Sequence, residues 1–356
     1  MKKLINQLDT ILSEQLHGFI KAHPQCELNL DPCFIKRKEA PIANQVALIS
    51  GGGSGHEPMH IGFIGEGMLT AACPGEIFTS PTPDQMLSCA MAVDSGKGVV
   101  FLVKNYTGDV LNFETATELY ADMGGKVSFI IVDDDVAVKD SLFTAGRRGV
   151  ANTVLIEKML GAAISRGDSL DKIEALGVRL NNQGHSIGVA LNACTVPAAG
   201  KPSFMLTENE MEFGVGIHGE PGIERRPYTN LDDTVEQMFS TLIENSTYQR
   251  KLRQWDRNKN TWRETEQSKH PLQKGDEVIA LVNNLGTVPT SELYGIYHKL
   301  TQCCDNFGIK IKRSLIGTYC SSLDMQGFSI TLLQTNEDDL TLWDAPVVTP
   351  AMRWGK

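Results

Sequence analysis

The sequence has no two cysteines spaced C-x-x-C, no apolar run near the ~18 residues that a membrane span requires, and no stripe of basic side chains. Each absence excludes something. The eight cysteines are scattered apart from the adjacent pair Cys303–Cys304, so neither a zinc site nor a disulfide framework is expected, and reduced buried thiols are. With 33 basic against 43 acidic side chains the net charge is −10, a field that repels polyanions. Basic clusters are short, such as Arg147–Arg148 and Arg225–Arg226, so a small anionic group could be held locally but a nucleic acid is not an expected partner. The opening stretch MKKLINQLDTILSEQL begins with two lysines, but Asn6, Asp9, Ser13 and Glu14 interrupt the apolar core that a secretory signal needs. A cytoplasmic protein with no membrane segment is expected.

At 356 residues the chain is long enough for two cores. The runs QVALIS (45–50), GVVFLVKN (98–105) and KVSFIIVDDD (126–135) read as buried strands, each ending in glycine or polar residues. Helical patterns lie between them. One begins at TPDQM, with Thr82 as N-cap, Pro83 at the first helical position and Gln85 closing a capping box; the next is GDVLNFETATELYADMGG, stopped by Gly124 and Gly125. Strands alternating with helices predict a mostly parallel sheet, whose ligands bind beyond the carboxyl ends of the strands. The second half repeats the style, with strands at 185–191, 276–284, 309–317 and 328–334 and helices around 231–245 and 290–305. The expected fold is α/β, with two α/β domains, each a mostly parallel or mixed central sheet flanked by helices. They cover 1–183 and 184–356, the join lying at the polar, turn-like RLNNQG. The segment from Tyr248 to Gly275 is polar and lysine-rich and reads as a surface excursion.

The stretch ALISGGGSGHEPMH, Ala47 to His60, looks like a phosphate cradle and fails both nucleotide motifs. A P-loop counted from Gly51 would need glycine where His56 stands and lysine where Glu57 stands; the dinucleotide fingerprint fails at the same His56. The glycines therefore suit positive φ angles and close approach of a ligand smaller than a nucleotide. Other eye-catching stretches are simpler. In GDSL (167–170), Asp168 or Ser169 reads as a helix cap. The triple aspartate Asp133–Asp135 suits magnesium, but a solvated strand end, one carboxylate turned to a neighbouring loop, is the plainer reading, and no metal site is expected.

His56 has a counterpart. EFGVGIHGEPGIERR places His218 between Gly216 and Gly219, and two glycine-flanked histidines from different domains can meet across a cleft. Asp109, in KNYTGD after Lys104, is a third candidate, with a plain helix N-cap as its structural alternative. Two imidazoles and a carboxylate suit proton transfer near neutral pH, since an unperturbed histidine titrates at about 6.5. The residues by themselves point to a small-molecule enzyme using acid/base chemistry.

Taken together, SGGGSGHEP, CPGEIFTSPTPDQ, VKNYTGDVLNFETATE, DDDVAVKDSLFTAGRRG, NNQGHSIGVALNACTVPAAGKPSF, EMEFGVGIHGEPG, IALVNNLG and SLDMQGFSITLL resemble the dihydroxyacetone kinase K-type subunit family in its phosphoenolpyruvate-dependent bacterial form, across essentially the whole chain. The resemblance implies that His218 attacks the substrate carbonyl to form a hemiaminal. It implies that His56 and Asp109 help to deprotonate the hydroxyl that accepts a phosphoryl group, and that Gly53, Ser54, Gly55 and Lys104 join them in contacting dihydroxyacetone. Capture by a nitrogen nucleophile selects a carbonyl compound over glycerol. No cofactor is then expected on this chain. ADP/ATP with magnesium is expected on a partner L-type subunit, recharged by a phosphocarrier M subunit, and the chain is expected as a homodimer. The alternative is a non-catalytic dihydroxyacetone-binding paralogue acting as a regulatory sensor.

Overall fold

The computed structural model describes residues 2–138, 146–244 and 246–355. The first half runs α1 (Ile11–Ala22), β1 (Cys26–Leu30), β2 (Cys33–Arg37), β3 (Ala47–Ser54), β4 (Ala71–Ile77), α2 (Pro83–Val93), β5 (Val99–Lys104), α3 (Thr107–Asp122), β6 (Val127–Val132), α4 (Asn152–Arg166) and α5 (Leu170–Gln183). The second continues with β7 (Gly184–Asn192), β8 (Glu210–Phe213), β9 (Glu224–Pro227), α6 (Leu231–Ile243), β10 (Tyr248–Asp256), β11 (Thr261–Lys269), β12 (Glu277–Asn284), α7 (Thr290–Phe307), β13 (Lys310–Gly317), β14 (Gln326–Gln334), α8 (Glu337–Asp344), β15 (Val347–Val348) and β16 (Arg353–Trp354). No described helix is long and apolar enough to cross a membrane.

The first sheet has the order β1-β2-β4-β3-β5-β6; β4, β3, β5 and β6 are parallel, and β2 joins β4 antiparallel. The second, β13-β12-β14-β7-β8-β9, is mixed, with only β12 and β13 paired in parallel. The expected α/β class with mostly parallel or mixed sheets is what the chain forms. Strand β5 shows why its run is continuously apolar: Val99, Phe101 and Val103 pack toward α2 and α3, while Val100 and Leu102 enter the core around α4. Thr82 and Gln85 form the expected capping box of α2. The edge strand β1, its neighbour β2 and the glycine- and proline-bearing β4 lack a strong alternating pattern, which hid them from sequence reading.

Helix α4 lies between the two sheets, and every residue from Asn152 to Ile164 is buried. A helix covered on all sides should be apolar all round. This one carries Glu157 and Lys158 at its centre.

The triple aspartate corrects the expectation of a solvated strand end: Asp133, Asp134 and Asp135 are all buried and each has its own protein partners. Asp134 accepts the backbone N–H groups of Val150 and Asn152 at 2.7 and 2.9 Å, at the amino end of α4. Asp135 pairs with Arg148 at 2.6 Å. Asp133 accepts from Arg250 Nε at 2.7 Å and lies 3.1 Å from Lys269 Nζ, both on the β10–β11 hairpin. Of the family-like stretch 133–149, residues 139–145 lie outside the described ones. The segment read as a surface excursion is therefore a hairpin arm of the second half clasped onto the first, with Trp255 buried beside Trp262 and Phe129. The C-terminal segment also returns to the first half, where the Val348 and Ala351 N–H groups donate to Glu66 and Gly62 carbonyls, each at 2.9 Å.

Removing one partner from a buried ion cluster strands the others, so Asp133→Ala should cost about 3–5 kcal/mol in chemical denaturation. Lys269 and Arg250 hold the Asp133 carboxyl below its ordinary 3.8 against the opposing effect of burial. Its folded value is the lower one, so the contribution is complete above the unfolded value near 3.8 and is lost as pH falls from there through the depressed folded value. The check is an acid-dependent component of stability below about 3.8 that is present in wild type and missing in Asp133→Ala.

Candidate active site

The glycines at the end of β3 exist chiefly because other protein atoms press on them. A Cβ on Gly52 would stand 2.4 Å from Lys104 Nζ, and one on Gly53 would stand 2.5 Å from the Thr79 nitrogen. Of residues 51–55, Gly55 alone has a positive φ, at 105°. The expected left-handed backbone is thus confined to one position, and close approach accounts for its neighbours.

That turn delivers His56 into a nearly closed setting formed by both halves. His56 Nδ1–H donates to the Ser321 carbonyl at 2.8 Å, and the Ser321 and Leu323 N–H groups donate back to His56 O and Gly55 O. The loop after β13 therefore fixes the ring orientation. The Phe78 ring stacks on His56 at 5.0 Å between centroids and meets His218 edge-on at 5.2 Å. His56 Nε2 lies 3.1 Å from His218 Nε2.

Hydrogen-bond counting assigns the tautomers. With its Nδ1 proton given to Ser321, neutral His56 offers a lone pair at Nε2, so the proton between the rings sits on His218 Nε2. Both rings are held neutral. Burial, then the nearby His218 and Lys104, push His56 well below its ordinary 6.5. Burial, then Lys104 and Arg148, bring His218 down to about 3.

His218 is carried by a loop that is braced from below. Its backbone N–H donates to Glu220 Oε2 at 2.7 Å, Arg148 Nη1 lies 3.5 Å from Glu220 Oε1, and Arg148 Nη2 donates to the Gly214 carbonyl at 2.6 Å. Asp135 anchors that arginine, which gives one member of the triple aspartate an indirect place at the site. The Tyr106 ring meets His218 at 4.3 Å.

Asp109 lies in the first turn of α3 rather than at its N-cap, which is Tyr106, so the plain capping alternative does not describe it. Its carboxyl is buried, 3.7 Å from Lys104 Nζ, and burial raises its pKa against the lowering effects of Lys104 and Ser80. A basic carboxylate results. Lys104 donates to Gly51 O at 3.2 Å and to His60 Nε2 at 2.9 Å.

Gly53, Phe78, Ser80, Tyr106, Asp109 and His218 share a cavity of about 620 Å³, within the usual range for small-molecule sites. The fold thus brings together His56, His218, Asp109, Lys104 and Gly53. Ser54 gives its hydroxyl to Gly75 O at 2.7 Å, and the Gly55 N–H goes to the Glu57 carboxylate at 3.0 Å. Sequence reading missed Phe78, Tyr106, Arg148, Glu220, His60 and Glu157. The first four sit inside the quoted motifs, but nothing in their spacing shows which side chains face inward.

In the folded chain both imidazoles should stay neutral across the range in which free histidine titrates, read by NMR of their ring protons. An unfolded histidine binds its proton near 6.5, so between about 3 and 6.5 the unfolded state holds more protons and folding stability should fall as pH drops through that window.

A family model described as the Dak1 domain matches residues 17–351. The chain is 66% identical over 356 residues to the PEP-dependent dihydroxyacetone kinase, dihydroxyacetone-binding subunit DhaK, of Escherichia coli (strain K12), with 100% of each chain covered. Among solved structures it is similar to the dihydroxyacetone kinase operon co-activator Dha-DhaQ, with TM-score 0.83, 31% identity, and 95% of this chain and 97% of that one covered. It is equally similar to the dihydroxyacetone kinase of C. freundii, with TM-score 0.83, 32% identity, and 98% of this chain and 60% of that one covered. The C. freundii enzyme is also solved in complex with AMP-PNP and Mg2+.

Proposed function

This chain belongs to the Dak1 family of dihydroxyacetone kinase K-type subunits, and on that premise we propose that it is the dihydroxyacetone-binding subunit of a cytoplasmic, phosphoenolpyruvate-dependent dihydroxyacetone phosphotransferase. The observation that carries the reading is the meeting of His56 and His218 at 3.1 Å beside the same cavity that Asp109 lines.

In this reading His218 captures the substrate by adding its N–H across the carbonyl. The Nε2 proton moves to His56 Nε2 as nitrogen bonds to carbon, the C=O π pair moves to oxygen, and that oxygen takes the proton from His56. The product is a neutral hemiaminal, with His56 regenerated. A protonated imidazole has no free pair for this step, so keeping both rings desolvated serves it directly. For a ligand of so few heavy atoms, a covalent bond offsets the weak affinity that its contacts allow. Asp109, aided by His56, then takes the proton of the substrate hydroxyl that receives the phosphoryl group, and its raised pKa makes it the stronger base. A partner L-type subunit holding ATP with magnesium would supply the phosphoryl group and keep the ADP left behind, and a phosphocarrier M subunit would recharge it. A second copy of this chain completes the assembly as a homodimer.

The sensor alternative draws on the similarity to the Dha-DhaQ co-activator at 31% identity, against 66% to the E. coli kinase subunit. Turnover separates the two. Intact-protein mass spectrometry should show one dihydroxyacetone adduct, absent in His218→Ala. Asp109→Asn should keep the adduct while turnover with purified L and M subunits falls by about 10²–10⁴. Capture without any wild-type turnover would favour the sensor, and an adduct surviving in His218→Ala would remove the covalent step.

A further inference from the structure

Behind the cavity wall a chain of buried polar groups leads from Asp109 through Lys104 to His60 and Glu157, the last two unused by the chemistry above. Lys104 Nζ faces three acceptors: Gly51 O at 3.2 Å, His60 Nε2 at 2.9 Å and Asp109 Oδ2 at 3.7 Å. Two of its protons reach Gly51 O and His60 Nε2, while Asp109 Oδ2 stays beyond hydrogen-bond distance. Donation to His60 Nε2 requires a lone pair there, which puts the ring proton on Nδ1. That nitrogen faces Glu157 Oε1 at 2.6 Å.

Glu157 comes from α4, the helix enclosed between the two sheets, and is fully buried. Ser50 lies against its carboxyl. Burial pushes Glu157 well above the ordinary carboxylate range and His60 well below the ordinary imidazole range. A core built for stability alone would be better served by apolar side chains at both positions. Their presence asks for another reason.

The 3.7 Å separation supplies one. A lysine free to move would close on the buried Asp109 to a direct ion pair, which would stabilise the carboxylate and weaken it as a base. His60 and Gly51 O compete for the ammonium and hold it back. We propose that Glu157 and His60 are positioning residues for the acid/base centre: Glu157 fixes the His60 tautomer, His60 restrains the Lys104 ammonium, and the restrained ammonium leaves Asp109 oriented and basic toward the hydroxyl it deprotonates. The proposal rests on the role of Asp109 given above.

The full-length chain is tested in two ways. Nitrogen NMR of the His60 ring at neutral pH should show the proton on Nδ1 and a bare Nε2, kept in Glu157→Gln, whose amide oxygen still accepts, and disturbed in Glu157→Leu. In turnover with the L and M subunits, His60→Ala should lose about 100-fold in kcat while dihydroxyacetone adduct formation at His218 persists. His60→Gln, whose amide can donate to Glu157 and accept from Lys104, should recover most of that loss. A proton on His60 Nε2, a wild-type kcat in His60→Ala, or parallel loss of adduct and turnover in both His60 variants would overturn the proposal. A wild-type chain that captures no dihydroxyacetone would instead overturn the function proposed above, and the NMR result does not depend on that outcome.

Discussion

An imidazole is a nucleophile or a base only while it is neutral, and the facing Nε2 atoms of two of them 3.1 Å apart can share one proton but not hold one each. The site satisfies that constraint by withholding water from His56 and placing cations nearby. Phe78 stacks on one ring and meets the other at its edge, and Lys104 adds a positive field that opposes protonation of both. Lys104 reaches that position only because Gly52 has no side chain. The bare end of β3 and the acid/base chemistry are in this sense one feature.

Orientation comes from both halves of the fold. His56 belongs to the first sheet but takes its tautomer from Ser321, in the loop that follows β13. His218 belongs to the second half but sits on a loop braced by Arg148 and Asp135 from the first. Neither histidine is placed by its own half alone. The hairpin clasp through Asp133 and the shared helix α4 hold the halves in the register that this exchange needs.

Much of this was legible in the sequence because glycine, proline and capping residues mark local geometry directly. The failed nucleotide motif at His56, the matching glycine frame of His218 and the polar end of β5 all lie where the chain folds into one cavity. The long apolar strands and the Thr82 capping box were equally plain. What escaped depends on tertiary partners. The triple aspartate looked solvated because its cations, Arg148, Arg250 and Lys269, come from 13 to more than 100 positions away. Glu157 and His60 were invisible for the same reason: their spacing of 97 residues says nothing, and only the enclosure of α4 makes a glutamate there unusual.

The fold itself does not decide between catalysis and sensing, since a co-activator and a kinase both match it at a TM-score of 0.83. The decision falls to what the site contains beyond the means of capture. Covalent holding of a carbonyl compound requires a neutral nucleophile and a proton acceptor beside it, the roles proposed above for His218 and His56. A buried carboxylate 3.7 Å from a buried ammonium is not needed for that bond to form, and its desolvation opposes folding. Asp109 raised in basicity at the cavity wall is useful to a reaction that removes a proton from the captured substrate. A group that capture does not require, kept basic at a cost to folding, is the physical reason for preferring the enzyme.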